Sequence, residues 1–188
     1  MKNIPALDPK VLDLVTEISK EPKVEAAMAF IKDQTEVAMQ EQIELCEIEA
    51  PTFHEEKRAA SVAERMRQYG LTDVHIDEIG NVIGIRKGSG NGPVLAIGAH
   101  MDSVFPAGTD VKVKKEGNIY RAPGIGDNCS GLRALLQVLR ALEKEDIRTV
   151  GDIWFVGTVG EEGNGDIRGS KHLCANNKLD GFVAIDST

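Results

Sequence analysis

Cysteine is scarce. Cys46, Cys129 and Cys174 are the three in 188 residues. An odd number at wide spacing does not fit a disulfide framework, and no pair has the spacing of a thiolate metal clip. A catalytic thiol at Cys129, beside Asp127, is disfavoured because nothing in the sequence signals a base partner for it. Long apolar runs are missing too, and Met1-Lys2-Asn3-Ile4-Pro5 lacks the apolar core of a signal peptide. The expectation is a cytoplasmic protein with no membrane partner. Positive charge is short as well: the formal net charge is −8, and no basic stripe offsets it, which argues against nucleic acid as a partner. Lys112, Lys114 and Lys115 alternate with Val111 and Val113 and read as the wet face of a strand. There is no internal repeat and no low-complexity segment.

The composition, 41% hydrophobic and 28% charged, fits a globular chain long enough to bury one core. Helical spacing covers Pro9 to Lys20, with Val11, Leu12, Leu14, Val15 and Ile18 on one side, and Val24 to Lys32, with Pro22 between them. A third helix is expected over about Thr35 to Ile48, before the stop at Glu49-Ala50-Pro51. Thr52-Phe53-His54-Glu55 reads as a capping box opening a helix to Tyr69, with Gly70 as its left-handed exit. Two short alternating strands, Val74 to Ile79 and Asn81 to Arg86, reverse at Gly80 and suit a half-buried edge hairpin. His54 and His75 fall on a helix's first turn and on the hairpin's wet side, so neither is expected to be a ligand.

After the loop Gly88 to Pro93, Val94 to Ala99 is apolar on both faces and predicts a central strand. The segment from Asp102 to Arg121 reads as a flap with a hairpin pairing Val111 to Lys114 with Asn118 to Tyr120. Pro123 to Asn128 is a glycine-loosened turn opening an amphipathic helix on Leu132, Leu135, Leu136, Leu139 and Leu142. A strand over Asp152 to Thr158, a short helix from Gly169-Ser170 and a strand over Gly181 to Ile185 complete an α/β fold. The layout predicts a three-layer mixed sheet flanked by helices.

The chemistry gathers at strand ends, where open α/β sheets bind ligands. His100 and Asp102 lie two residues apart, so both can emerge on one side of the strand. A carboxylate on the second imidazole nitrogen fixes the tautomer and suits a metal ligand. Glu161 and Glu162 follow the second strand, Asp186 follows the third, and Asp127 sits at a helix start. That many acids at one edge repel strongly without cations. Imidazole with carboxylates and no thiolate suits zinc in an open catalytic site, or cobalt or manganese. One carboxylate bridging two ions would hold them roughly 3.5–4 Å apart. In the Glu161-Glu162 pair, one acid would then bind metal while the other takes a proton from water.

In order and context, Ala99-His100-Met101-Asp102-Ser103, Gly126-Asp127-Asn128-Cys129-Ser130-Gly131, Gly160-Glu161-Glu162-Gly163 and Ile185-Asp186 resemble the co-catalytic zinc metallopeptidases. That family includes tripeptide aminopeptidase, acetylornithine deacetylase and succinyl-diaminopimelate desuccinylase. The resemblance covers roughly residues 35–188, leaving 1–34 as an N-terminal helical extension. It implies two zinc ions per complete site: His100 binds one, Asp127 bridges both, Glu162 binds the other, and Asp186 binds the ion held by His100. It further implies that Asp102 orients His100, that Glu161 is the general base, and that the peptide after Asp127 is cis. The family's second metal-binding histidine lies near its C-terminus, after an inserted domain for dimerisation and substrate recognition. The resemblance therefore implies a zinc exopeptidase-like portion ending before that domain at Thr188, with a homodimer expected only of a full-length form. His172, in the short helix, is not expected to replace the missing ligand.

The activity implied is hydrolysis of amide bonds in small peptides, with an N-acyl-amino-acid deacylase as the alternative. The Val159 to Asp166 stretch looks more like the peptidase branch. A reading from another class is a noncatalytic domain that keeps the fold and binds metal weakly. A nucleotide loop at Gly124-Ile125-Gly126 fails on its glycine spacing, and Asp127 would repel phosphate.

Overall fold

The computed structural model describes residues 8–187; Met1 to Pro5 and Thr188 lie outside them. In chain order the elements are helices α1 (Pro9–Ser19), α2 (Pro22–Asp33), α3 (Thr35–Cys46) and α4 (Glu56–Gln68), then strands β1 (Asp73–Ile76), β2 (Val82–Arg86), β3 (Leu95–His100), β4 (Lys114–Glu116) and β5 (Ile119–Arg121). After these come α5 (Cys129–Lys144), β6 (Ile153–Thr158), α6 (Arg168–Asn176) and β7 (Gly181–Ala184). Five strands form one mixed sheet in the order β1-β2-β6-β3-β7. β3 runs parallel to both β6 and β7, whereas the β1–β2 hairpin adds antiparallel strands at one edge. The expected α/β mixed sheet is present, with β3 an inner strand and β6 the middle one.

Period-two alternation builds the layers. On β6, Ile153 and Phe155 pack with α3, α4 and α5, while Trp154 and Val156 face Leu173 of α6. The sheet is therefore covered on both sides, three layers in all. The leucine stripe of α5 supplies the larger core, with Leu132, Leu135, Leu136 and Leu139 fully buried, each contributing roughly 1.5–3 kcal/mol. Asn128 caps this helix by accepting the Gly131 N–H at 3.0 Å. By contrast, the apolar side of α1 reaches no core: Val11, Leu12, Leu14, Val15 and Ile18 are half-exposed.

Two expectations need correction. Thr52 and Glu55 do not form a capping box. Residues 51–54 make a turn, α4 begins at Glu56, and Glu55 is its cap residue without a side-chain capping bond. Both side chains are bonded to other partners at the sheet edge, and His54 precedes the helix rather than opening it. The flap hairpin is displaced toward the C-terminus, pairing Lys114 with Arg121 and Glu116 with Ile119. Gly117, at φ 61°, supplies the left-handed turn residue. Val113 is kept out of the hairpin because its N–H donates to Glu47 Oε1 and Lys112 pairs with the same carboxylate. Gly70 does leave α4 in the left-handed region, at φ 102°.

Candidate metal centre

Parallel strands β3, β6 and β7 end at one edge of the sheet, and the expected acids converge there. His100, the last residue of β3, is nearly enclosed, at 4% exposure. Its Nε2 lies 2.9 Å from Asp127 Oδ1 and 3.6 Å from Asp186 Oδ1. His100, Asp127 and Asp186 each offer a ligand atom within 4.8 Å of the others, and so do His100, Glu161 and Glu162. The peptide between Asp127 and Asn128 is cis, and the Asn128 amide donates to the Ile185 carbonyl at 2.9 Å. That bond ties the start of α5 to the residue before Asp186.

Asp102 sits on the other side of the ring. His100 Nδ1 is 3.1 Å from the Asp102 carbonyl oxygen and 3.4 Å from its carboxylate. The carboxylate is fully buried, and it accepts the N–H groups of Glu161 at 2.9 Å and Glu162 at 3.0 Å and the Thr52 hydroxyl at 2.9 Å. One acid thus holds the imidazole and fixes the backbone of the two glutamates after β6.

A second set of bonds holds the residue before them. Glu55, 3% exposed, accepts the Gly160 N–H at 3.0 Å and both bonds of Arg168, at 3.0 and 3.1 Å. Gly160 has φ 59°, and a Cβ there would lie 2.5 Å from Arg168 Nε, so only glycine fits the position. Asn81 accepts the Val159 N–H at 3.1 Å and donates to the Gly169 carbonyl at 3.1 Å. Residues 159–162 are therefore held from three sides.

The local field follows from these contacts. Burial disfavours charge on His100, but the Asp102 carboxylate and the charges of Asp186 and Asp127 outweigh it and raise its pKa to about 9. Burial likewise pushes Asp102 up, but His100, the two backbone N–H groups and Thr52 prevail and hold it at about 2. Glu162 is raised, by burial first and then by the neighbouring charge of Asp127. Among the described residues, no lysine or arginine forms an ion pair with Asp127, Glu161, Glu162 or Asp186.

All six residues singled out from the sequence meet at this edge. His75 and His172 do not. His172 Nε2 lies 2.9 Å from Glu78, and His75 flanks Asp73. Cys129 is fully buried. Thr52, Glu55, Arg168, Asn81 and Asn128 were missed as parts of the site. For Thr52 and Glu55 the signal was misleading, since Thr-x-x-Glu before a helix has the capping-box pattern.

Residues 96–187 match the model of the peptidase family M20/M25/M40. A curated Pyrococcus abyssi protein described as a LysW-lysine/LysW-ornithine hydrolase is 35% identical over 64% of this chain and 32% of its own length. The crystal structure of a tripeptidase from Staphylococcus aureus is 30% identical, with a TM-score of 0.66 over 80% of this chain and 43% of that one. That of aminopeptidase PepT from Bacillus cereus is 25% identical, with a TM-score of 0.68 over 81% and 43%. The chain thus spans about a third of the curated relative it matches. No helix among the described residues is long and apolar enough to cross a membrane.

Proposed function

We propose that this chain, a relative of the M20 peptidases, supplies metal-binding and proton-transfer groups of a hydrolase acting on amide bonds in small peptides. In this reading residues 35–188 are the N-terminal portion of the catalytic domain and 1–34 an extension. The observation that carries it is the convergence of His100, Asp127, Asp186, Glu161 and Glu162 on one sheet edge with no lysine or arginine among the described residues in an ion pair with the acids. A cation fits that donor set. One imidazole and several carboxylates suit zinc, with cobalt or manganese as substitutes. The names of the tripeptidase and aminopeptidase relatives support a peptide substrate.

His100, Asp127 and Asp186 would hold one ion, and Asp127 with Glu162 a second. Bound there, the ions supply Lewis-acid polarisation of the scissile carbonyl and a more acidic water. The chain's own groups do the rest. Asp102 presents its carbonyl and carboxylate to Nδ1, which leaves Nε2 facing Asp127 and Asp186. The same carboxylate fixes the Glu161 and Glu162 backbone, so the two side chains take separate tasks. Glu162 binds, and Glu161 takes a proton from the attacking water and returns it to the leaving amine.

The test is hydrolysis of di- and tripeptides with added zinc or cobalt, by the parent chain and by Glu161→Gln. The variant is expected to keep its zinc and lose turnover by roughly 10²–10⁴-fold. A variant that turns over like the parent contradicts the role of Glu161. A zinc-loaded parent that hydrolyses nothing favours the noncatalytic reading.

A further inference from the structure

At the same sheet edge, displaced from His100 across β6 and β2 toward β1, lies a recess that the proton transfer does not use. Phe53, Ala59, Ile76, Ile79, Val159 and Arg168 line it, with a volume of about 400 Å³, within the range of small-ligand sites. Its buried Glu55 and half-buried Arg168 pair with each other, while Arg168 Nε has no partner among the described residues. Arg168 donates to both Glu55 oxygens and to the Ile79 carbonyl at 2.8 Å, which leaves Glu56 as the exposed charge at the rim. An anion finds no free cation here, since Arg168 is held by Glu55, and apart from that pair and the rim carboxylate of Glu56 the lining is apolar.

Phe53 separates this recess from an ordinary surface dimple. Its φ is 74°, a conformation that costs a residue with a side chain roughly 1–3 kcal/mol. Its ring stays half-exposed, at 50%, stacked 5.2 Å from the Arg168 guanidinium. The aromatic is thus held at the lip of an apolar slot in a strained backbone state while much of its face remains in water. The recess also adjoins the candidate metal centre through the chain. Phe53 follows Thr52, which touches Asp102, and Val159 stands two residues before Glu161. Only Gly160 separates Val159 from Glu161 along the chain.

We propose that this recess is a side-chain subsite for the peptide substrate and takes one large apolar residue of leucine, methionine or phenylalanine size. The proposal rests on the peptide-hydrolase reading for its ligand class. Phe53 and Ile76 form the outer wall and set the preference, and Val159 closes the floor beside the base.

The probe is a set of tripeptides, triglycine and its three single-leucine versions, titrated into zinc-loaded Glu161→Gln protein and followed by the backbone amide resonances. At least one leucine peptide is expected to bind about tenfold more tightly than triglycine and to shift the amides of Gly80, Val159 and Gly160. Phe53→Ala and Ile76→Gln, each checked for an otherwise parental spectrum, are expected to remove that preference and leave triglycine binding unchanged. Equal affinity for all four peptides, no binding of any, or leucine-specific shifts lying away from Gly80 and Val159 overturns the subsite. Hydrolysis of triglycine by the unsubstituted chain reports the hydrolase reading separately. Turnover without leucine preference sinks the subsite alone, and leucine-specific shifts without turnover sink the hydrolase alone.

Discussion

Thr52 Oγ1 donates a hydrogen bond to Asp102 Oδ2 across 2.9 Å and so joins the turn before α4 to the carboxylate that holds His100 and the two glutamates. The isolated bridge between Pro51 and Ser103 and the Ser103 N–H to Ala50 carbonyl bond at 2.9 Å flank this contact. Thr52 is thereby a structural part of the metal centre.

Thr52→Val removes a donor from a buried carboxylate. A hydrogen bond to a charged group contributes about 1.5–3 kcal/mol, and urea unfolding of the metal-free protein is expected to show a loss of that size. Thr52→Ser should recover most of it. A valine variant as stable as the parent would show that the bond contributes nothing.

Arg58 is a buried cation, 2% exposed, whose partners are carbonyls. It donates to Leu45 at 3.1 Å, Ile48 at 2.6 Å and Met101 at 2.7 Å, linking the C-terminal end of α3, where carbonyl dipoles favour a cation, to the residue before Asp102. Arg58→Met removes the Arg58 donors from the Ile48 and Met101 carbonyls, while the Leu45 carbonyl keeps the Ile48 N–H, and is expected to cost at least about 3 kcal/mol. Arg58→Lys cannot reproduce the planar fork and should recover less than half. Chemical denaturation of the two variants measures both.

The pH dependence of the metal-free protein has two flanks. His100 is raised to about 9 from an ordinary 6.5, so its contribution is full below about 6.5 and is lost as pH climbs toward 9. Asp102 is lowered to about 2 from 3.8, so its contribution is full above about 3.8 and is lost as pH falls toward 2. Unfolding midpoints across pH should therefore decline on both sides of a plateau between about 4 and 6.5 from these two groups. His100→Asn should flatten the alkaline flank, and an alkaline flank unchanged in that variant would assign it elsewhere.

The main acids of the site were legible because each follows an apolar run of strand length or opens a strongly periodic helix, so His100, Asp127, Glu161, Glu162 and Asp186 could be placed at one edge from the pattern alone. Asp102 was legible through its two-residue spacing from His100, but its grip on the Glu161 and Glu162 N–H groups was not, since that joins residues about sixty positions apart. Glu55 illustrates the opposite limit. Local spacing favoured a cap, whereas in the fold Arg168 and the Gly160 N–H compete for the carboxylate and win. The hairpin shift has a similar origin, because Glu47, far upstream, binds Lys112 and Val113. Long-range polar contacts of this kind leave no periodic trace.

The central claim is that His100, Asp127, Glu162 and Asp186 hold metal. Elemental analysis of zinc after loading and exhaustive dialysis, on the parent and on Asp127→Asn of equal thermal stability, tests it most directly. Stoichiometric zinc in the parent and loss of most of it in the variant is the predicted result; equal zinc in both, or none in the parent, would contradict the claim.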